Sequence, residues 1–391
     1  MPEEVFTQLS WFRSERVAQA RVMVVGCGAL GNEVLKNLVL FGVQHLVVVD
    51  FDRVESSNLS RSVLFTREDA QLHTRKIDAV KASIKRINPS AEMVTLFGDI
   101  AYEVGLGWFR GVDVVIGCVD NRWARYCINR LCMRAGKPWV DGGIDGLEGT
   151  VRVFIPGENC YACNLGPEGL KDLKRRMPCS GIIRRNEAAG RAATTPVIAS
   201  VIGAVQVQEA MKIINNDGMS AAKPLNDANA ELTSLCGKMF YYEGQHLTTR
   251  IVGFKAYDDD CPVHERWEPV LDSVLTIKHT VGQCLDELRR MTEEAHPEVV
   301  LNDCFVDYVE SRRTGEQVSV MCPGREVERR IEQDSPLRGS LLGELYQHEY
   351  RKLDETFPYS EMSLEQVGIP ARDVLWVHTS DKDYYIALNG E

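Results

Sequence analysis

Two acidic side chains, an amide and a guanidinium follow one predicted strand, which covers residues 46–49. Asp50 and Asp52 come first, and Asn58 and Arg61 follow them in a short polar loop. A domain that binds a dinucleotide needs one carboxylate at this strand end, where it binds the ribose hydroxyls. The second carboxylate, the amide and the cation are groups that would hold and neutralise a triphosphate. The pattern therefore predicts a nucleoside triphosphate site at this strand end.

A glycine-rich turn precedes this strand and connects an earlier strand to a helix. Gly26 permits a tight turn, Gly28 lets the backbone approach a phosphate, and Gly31 lets the helix lie close to the strand. The N–H groups and the dipole at the start of this helix, residues 32–41, favour an anion. Asp50 follows Gly31 by 19 residues, the spacing expected for a ribose-binding acid. Taken alone, the glycines favour an ordinary oxidoreductase domain.

The elements that must position these groups alternate between strand and helix through the first half of the chain. After Asp50 the sequence predicts helices at 76–87 and 123–134 and strands at 93–96, 112–117, 139–141 and 150–155. Such alternation predicts an α/β fold with a parallel sheet, and ligands bind such sheets at the carboxyl ends of the strands. The glycine turn, Asp50, Asp52 and Asp120 all fall at strand ends.

The second half of the chain departs from this pattern. Residues 164–193 are polar and basic and predict a long loop, whereas residues 196–213 predict an apolar helix, capped by Thr195, that is buried or at an interface. Residues 240–254 predict β structure, and the rest predicts a separate α+β domain, so we divide the chain into residues 1–268 and 269–391. In the second of these domains, the predicted strands lie near 274–278, 305–309, 317–321, 373–377 and 384–388, and the predicted helices lie near 282–291 and 341–353.

Composition narrows the classes of protein that fit. The 391 residues carry a net charge of −11, which argues against a nucleic-acid-binding protein. No stretch approaches the ~18 uninterrupted apolar residues of a membrane span, and the first residues do not resemble a signal peptide. We therefore expect a cytoplasmic protein without nucleic-acid or membrane partners. In such a chain the twelve cysteines indicate buried thiols, metal ligands or a nucleophile rather than disulfides.

The motifs together resemble those of the ThiF/MoeB-type adenylating superfamily, which includes the ubiquitin-activating enzymes. The resemblance covers roughly residues 20–265, and Gly31–Leu38 is closer to the eukaryotic-type activating enzymes than to the sulfur-carrier enzymes. The matching motifs are Gly26-x-Gly28-x-x-Gly31, Asp50-Phe51-Asp52, Ser57-Asn58-Leu59-Ser60-Arg61, Lys76, Asp120-Asn121-x-x-x-Arg125, Asp141-Gly142-Gly143 and Cys160-Tyr161-Ala162-Cys163.

This resemblance implies a Rossmann-like adenylation domain that binds ATP with Mg²⁺ and adenylates the C-terminal Gly of a partner protein. The family's ribose acid falls on Asp50, its phosphate-contacting residues on Asn58, Arg61 and Lys76, and its magnesium-linked acid on Asp120. Cations suit this chemistry because an anionic carboxylate attacks an anionic phosphate. A general base is not needed, since the attacking carboxylate is already ionised.

We also assign Asp52 and Asn121 to the nucleotide site that the resemblance implies, because both lie within the matching motifs. One departure is Ser62, which stands where the family commonly has Gln. Family members often carry a further Arg, well upstream of the first strand, that reaches ATP. Here Arg13 and Arg16 lie too close to the strand for us to assign that role.

Four residues predict a metal site. Cys160 and Cys163 match one half of the family's structural zinc site, and Cys261 and His264 stand where the second half is expected. Two pairs of this kind would complete a tetrahedral Zn²⁺ site. A Cys-x-x-Cys motif alone would equally fit a redox pair or buried thiols, and Cys236 is an alternative fourth ligand to His264.

Cys179 lies in the basic loop, where thioester-forming family members place their catalytic cysteine. Seven Lys and Arg residues between Lys171 and Arg191 would lower the pKa of its thiol and favour the thiolate. The resemblance therefore implies that Cys179 takes the activated acyl group. The alternative is a free loop thiol among solvated charges.

Two functions follow from the resemblance. The first is a ubiquitin-like-protein activating enzyme that forms a thioester on Cys179 and passes the modifier to a conjugating enzyme. The alternative is a sulfur-carrier adenylyltransferase that forms the acyl-adenylate only. A nicotinamide dehydrogenase would have no use for Asn58, Arg61 and Asp120, and a non-catalytic scaffold would not need the nucleotide residues. We expect a homodimer, and we expect residues 269–391 to recruit the modifier or the next enzyme.

Overall fold

The computed structural model describes residues 6, 8–176, 194–216, 233–254, 257–338 and 344–390. These residues form two units, which are described separately. Unit 1 draws its described residues from Met1–Ala101, Phe109–Gly166 and Gly190–Arg266. Unit 2 draws them from Tyr102–Trp108, Pro167–Ala189 and Trp267–Glu391.

A mixed sheet forms the centre of unit 1, with the strands in the order β3-β2-β1-β4-β5-β6-β7-β8. Neighbours from β3 to β5 run parallel, and β6, β7 and β8 continue the sheet in antiparallel fashion. The strands are β1 (Arg21–Val25), β2 (His45–Val49), β3 (Glu92–Leu96), β4 (Val114–Gly117), β5 (Trp139–Asp145), β6 (Glu148–Phe154), β7 (Lys238–Glu243) and β8 (Thr248–Gly253). The predicted α/β fold with a parallel sheet is confirmed.

The order of these strands locates a binding crevice. From β1 the chain moves outward through β2 and β3, then returns to place β4 on the other side of β1. The strand order therefore reverses between β1 and β4, and ligands bind open α/β sheets at the carboxyl ends of the strands beside such a reversal. All four residues of β4 are buried, as expected for an apolar strand covered on both faces.

The structure describes eight α-helices with bounds up to residue 216, and the sequence predicts four of them but neither the three short ones nor the one that begins at Tyr161. They are α1 (Ser14–Gln19), α2 (Ala29–Leu40), α3 (Arg67–Gln71), α4 (Lys76–Ile87), α5 (Leu106–Arg110), α6 (Arg122–Ala135), α7 (Tyr161–Arg176) and α8 (Pro196–Asn215). The prediction of one long loop over residues 164–193 is wrong for 164–176, which are helical. Gly166, with φ of +67°, interrupts α7, and Pro167 begins its second segment. A Gly-Pro pair usually indicates a loop, but Pro is tolerated in the first turn of a helix, and here the pair marks a kink within a helix.

Helix α8 is the apolar helix that the sequence predicts. Thr195 caps it by accepting a hydrogen bond at Oγ1 from the backbone N–H of Ile198, 3.3 Å away. It packs within unit 1 against α2 and against β4, β5 and β6. Among the described residues it is the one helix long and apolar enough to cross a membrane, and a buried core helix meets the same criterion. Burial inside unit 1 accounts for its composition, so the homodimer stays a prediction.

A second sheet forms unit 2, with the order β11-β10-β13-β14-β9 and with β12 paired to β10. Its strands are β9 (Val270–Asp272), β10 (Glu298–Ser311), β11 (Gln317–Pro323), β12 (Leu345–Leu353), β13 (Val374–His378) and β14 (Asp383–Ala387). Its helices are α9 (Val281–Thr292) and α10 (Val327–Asp334). A capping box between Thr280 and Gln283 begins α9.

Two predicted elements of this unit are wrong. The strand expected at 274–278 is replaced by β9, a few residues earlier, and Thr276 instead forms a turn in which its N–H donates to Nδ1 of His279 at 3.0 Å. The helix expected at 341–353 is the strand β12, which pairs antiparallel with β10 from Leu345 to Leu353. Pairing and burial against a neighbouring strand override local helix propensity here.

Candidate functional site

The glycine turn between β1 and α2 has the geometry that its three glycines predict. Gly26 has a φ of +97°, and its N–H donates to the carbonyl oxygen of Val49, 2.8 Å away. A Cβ on Gly26 would lie 2.5 Å from the carbonyl oxygen of Cys118, and one on Gly31 would lie 1.9 Å from that of Gly26. A Cβ on Gly28 would meet no described atom within 4 Å. Gly28 therefore faces open space, where a ligand has room to approach the backbone.

Asp50 ties the end of β2 to this turn. Its Oδ2 accepts a hydrogen bond from the backbone N–H of Cys27 at 2.6 Å, and its Oδ1 accepts one from the N–H of Asp52 at 2.7 Å. Burial raises the pKa of Asp50, against the lowering effects of Lys76 and of the two backbone hydrogen bonds. Each carboxylate oxygen has a further lone pair, so Asp50 can hold the turn and accept from a ligand hydroxyl together.

Lys76, the first residue of α4, brings a cation to these carboxylates. Its Nζ donates to Oδ2 of Asp52 at 2.8 Å, and its backbone N–H donates to the carbonyl oxygen of Asp52 at 3.0 Å. Burial alone would lower the pKa of Lys76, but the charges of Asp50 and Asp52 outweigh it and raise that pKa. Lys76 is therefore a fixed, fully charged cation beside the glycine turn.

The segment that carries Asn58 and Arg61 follows β2 and forms a single 3₁₀ turn at Ser56–Asn58. Oδ1 of the buried Asn58 accepts from the backbone N–H of Glu55 at 3.0 Å. Nη1 of Arg61 donates to the carbonyl oxygen of Ser57 at 3.1 Å. Both side chains are thus held by their own segment, with Arg61 lying three residues beyond the end of the 3₁₀ turn.

Asn32 joins this segment to the glycine turn, and the sequence reasoning did not single it out. Its Nδ2 donates to the carbonyl oxygens of Cys27 and Gly28 at 2.8 and 3.1 Å. Its Oδ1 accepts from the backbone N–H of Leu64, three residues after Arg61, at 2.8 Å. The available signal was an Asn in the first turn of α2, directly after the last glycine of the turn.

Asp120 and Asn121 lie at the start of α6, beyond the carboxyl end of β4. Asn121 caps the helix by accepting at Oδ1 from the N–H of Ala124 at 2.7 Å, and its Nδ2 donates to Oδ1 of Asp120 at 3.3 Å. Asp120 is exposed and lies two residues after Cys118, whose backbone N–H donates to the carbonyl oxygen of Val25 at 2.8 Å. Asp120 therefore follows the end of β4, the strand that borders β1 on the side away from β2 and Asp50.

A buried ion-pair network supports this loop. Asp141 on β5 is fully buried and accepts from Nε of Arg125 at 3.1 Å and from Nη2 of Arg152 at 2.5 Å. Nη2 of Arg125 also donates to the carbonyl oxygen of Val119, 2.8 Å away. The guanidinium of Arg125 therefore links β5 to the residue that precedes Asp120, which fixes the position of that loop.

The four predicted metal ligands converge in unit 1. Sγ of Cys160 lies 3.6 Å from Sγ of Cys163 and 3.7 Å from Sγ of Cys261. Nε2 of His264 lies 3.1 Å from Sγ of Cys163, and all four donor atoms lie within 4.8 Å of one another. Cys236, the alternative ligand, is not part of this cluster. The four donors can together hold one metal ion.

The surroundings of the cluster suit a bound cation. The hydrogen bond from Cys261 lowers the pKa of Cys160, which favours its thiolate. The ring of His264 stacks on Tyr257 with centroids 4.2 Å apart, which fixes the direction of Nε2. A thiolate and an oriented imidazole are the forms in which these side chains bind metals.

The remaining predicted residue, Cys179, lies outside the described residues. Of the predicted nucleotide residues, the structure brings Asp50, Asp52 and Lys76 into direct contact with one another or with the glycine turn. It connects the segment of Asn58 and Arg61 to that turn through Asn32, and it places Asp120 at the neighbouring strand end.

Comparison with known proteins identifies the family of this chain. The ThiF family profile matches residues 8–263. The chain is 30% identical over 248 residues to the SAMP-activating enzyme E1 of Haloferax volcanii, an alignment that covers 63% of this chain and 81% of that protein. It is 34% identical over 249 residues to the adenylyltransferase and sulfurtransferase MOCS3 of Mus musculus, covering 63% of this chain but only 48% of that protein.

The fold is also similar to solved structures. The crystal structure of E. coli MccB with AMPCPP and MccA superposes with a TM-score of 0.51 at 20% identity, over 64% of this chain and 68% of MccB. A likeness at that identity supports the fold of unit 1 and nothing more. The family profile spans the glycine turn, both strand-end acids and three of the four metal donors, and it covers more than half of the chain, which therefore belongs to the ThiF family.

Proposed function

We propose that this chain uses ATP to adenylate the C-terminal Gly carboxylate of a small ubiquitin-like or sulfur-carrier-like protein. The observation that carries the proposal is the cation of Lys76, held by Asp52 beside a glycine turn whose Gly28 faces open space. A fixed cation at this place would offset the negative charge of a bound phosphate group. The names of the relatives, an E1-type activating enzyme and an adenylyltransferase, support the same reading.

The proposed reaction is a displacement at the α-phosphorus. A carboxylate oxygen of the partner's terminal Gly forms a bond to the α-phosphorus, the bond from that phosphorus to the bridging oxygen breaks, and diphosphate leaves. Lys76 and Arg61 offset the negative charge that gathers on the phosphates. Asp120, an exposed carboxylate at the crevice, would hold Mg²⁺, which binds few protein oxygens and keeps several waters. Asp50 would accept from the ribose hydroxyls.

The metal cluster fits Zn²⁺ in this proposal. A tetrahedral site with Zn–S bonds of about 2.3 Å places its sulfur atoms about 3.8 Å apart. The observed separations of 3.6 and 3.7 Å agree with that value. Three Cys and one His leave no open position, which is the arrangement of structural rather than catalytic zinc. We therefore propose that the ion stabilises unit 1 and takes no part in adenylation.

Exchange of labelled pyrophosphate into ATP tests the adenylation directly. Candidate small proteins that end in Gly serve as acceptors, and each has a matched control with one extra Ala after the terminal Gly. Exchange that needs the free terminal Gly is the expected result. If zinc-loaded protein supports no exchange with any acceptor, or supports equal exchange with the extended controls, the proposed reaction is wrong.

We further propose that the acyl group passes from the adenylate to Cys179 and then to a conjugating enzyme. The basic residues around Cys179 and the activating-enzyme relatives favour this step. A Cys179→Ala variant should keep pyrophosphate exchange but lose the thiol-sensitive adduct on a non-reducing gel, whereas Cys236→Ala should keep both. If the wild type exchanges pyrophosphate without forming that adduct, the sulfur-carrier adenylyltransferase that stops at the acyl-adenylate is the better description.

The last part of the proposal assigns separate roles to the two parts of the chain. Residues 1–268 would carry adenylation, and residues 269–391 would recruit the modifier or the next enzyme. Full-length protein and a chain ended after residue 268 can be compared in exchange and in transfer. Loss of transfer alone supports this assignment, and unchanged transfer contradicts it. Sizing of the full chain in solution decides whether it is a homodimer.

A further inference from the structure

We infer that Asn32 is a positioning residue, which sets the distance between the glycine turn and the segment that carries Asn58 and Arg61. The inference rests on the adenylation proposed above, since it assigns to Asn32 the placement of Arg61 relative to a nucleotide at Gly28. The inference explains how the glycine turn and the segment of Asn58 and Arg61 are held at a constant distance from each other.

The hydrogen bonds of Asn32 use both ends of its amide. The side chain is fully buried, with Nδ2 bonded to the carbonyl oxygens of Cys27 and Gly28 and Oδ1 bonded to the N–H of Leu64. A buried amide is costly unless its groups are paired, and Asn is a poor residue inside a helix. A small apolar residue would be the better choice for α2 alone, so the role of this amide lies in what it connects.

The backbone of Leu64 is also held at its carbonyl oxygen, which belongs to the next peptide group. Oγ of the buried Ser83, on α4, donates to the carbonyl oxygen of Leu64 at 2.6 Å. Nη2 of Arg86 donates to that hydroxyl at 2.7 Å. Leu64 is therefore bonded to α2, which begins at the glycine turn, and to α4, which begins at Lys76.

This arrangement matters for the proposed reaction because the rate of adenylation depends on where the Arg61 cation lies relative to the phosphates. Arg61 lies three residues before Leu64 on an irregular segment, whose placement depends on where Leu64 is anchored. A displacement of about 1 Å in a positioning group can cost on the order of a hundredfold in rate. Because Leu64 is anchored to two rigid helices, the guanidinium of Arg61 is held at a constant position relative to Lys76 and Gly28.

The test compares Asn32→Ala and Ser83→Ala with Asn37→Ala in the full chain. Asn37 is the matched control because it lies on the same helix and has no side-chain hydrogen bond among the described residues. Two readouts are taken, namely hydrogen exchange of backbone amides in peptides over 56–66 and the kinetics of pyrophosphate exchange. For Asn32→Ala we expect lost protection confined to 56–66 and to the glycine turn. We also expect kcat to fall about tenfold to a hundredfold, by more than KM for ATP rises.

Each outcome decides the inference. Unchanged protection of 56–66 in Asn32→Ala overturns it, and so does a loss of protection spread evenly over unit 1, because a general loss of stability would produce that result. If Asn32→Ala does not fold, Ser83→Ala carries the same prediction for 56–66. If the wild type does not exchange pyrophosphate, the proposed function fails, and the amide exchange alone then decides whether Asn32 anchors the segment.

Discussion

Replacing Lys76 by Met separates the cation's role in catalysis from its role in stability. Met keeps much of the side-chain volume and removes the charge that lies 2.8 Å from Asp52. At that distance and at an effective dielectric constant of about 20, the Coulomb attraction is about 6 kcal/mol. The side chain of Asp52 is 45% exposed, so water screens the pair and replaces part of what is lost. We therefore expect the free energy of unfolding to fall by only about 1.5–3 kcal/mol, the range for a hydrogen bond to a charged group.

The effect on the reaction should be much larger. A preorganised charge or donor that stabilises the transition state is typically worth a factor of about 10²–10³ in kcat. Pyrophosphate exchange measures that loss, and denaturant unfolding of the same preparation measures stability.

Lys81→Met is the matched control for this variant, because Lys81 lies on the same helix and is exposed. It should change neither quantity. If Lys76→Met keeps exchange within twofold of the wild type while folded, Lys76 does not act on the phosphates and the proposed site is wrong.

Three further predictions follow from the buried groups. Burial raises the pKa of Asp50 above 3.8, the ordinary value for an aspartate, so the folded protein holds a proton on Asp50 that the unfolded chain has lost in this pH range. As pH rises from 3.8 through the raised pKa, the free energy of unfolding of the wild type should therefore decrease relative to that of Asp50→Asn. Parallel curves of stability against pH for the two proteins would contradict this prediction. Cys261→Ser should lose bound zinc in metal analysis and lower the melting temperature, whereas Cys236→Ser should retain the metal; equal zinc content in both would remove Cys261 from the site. In unit 2, burial and the charge of Asp307 raise the pKa of Tyr350 to about 12. Asp307→Asn should therefore lower the pKa of the Tyr350 phenol, which an ultraviolet titration measures. An unchanged titration would refute the contribution of Asp307.

Much of unit 1 could be predicted from the sequence because its signals are local. Helix α4 begins and ends where the pattern of apolar residues places it, from Lys76 to the residue before Asn88. The glycine turn needed only Gly26, Gly28 and Gly31, since each has a backbone reason to be glycine. The four metal donors are widely separated in sequence, and their convergence followed from the family resemblance.

The errors share a different cause, which is that contacts between distant residues decided the structure. Residues 345–353 form a strand because β10 pairs with them, and no local pattern reveals that partner. Helix α7 was hidden by a Gly-Pro pair that more often marks a loop. Asn32 was missed because its partner, the N–H of Leu64, lies 32 residues away, and the residue type alone does not reveal that hydrogen bond.

The measurement that tests the central claim most directly follows the oxygen of the acceptor carboxylate. A small acceptor protein is prepared with heavy oxygen in its C-terminal Gly carboxylate, mixed with ATP, Mg²⁺ and the zinc-loaded chain, and quenched with hydroxylamine, which attacks the acyl carbon. If the carboxylate displaces diphosphate at the α-phosphorus, mass spectrometry should find one heavy oxygen in AMP. Heavy oxygen in inorganic phosphate, with ADP as the nucleotide product, would mean attack at the γ-phosphorus, and unlabelled AMP would mean that no acyl-adenylate forms. Either result would contradict the account.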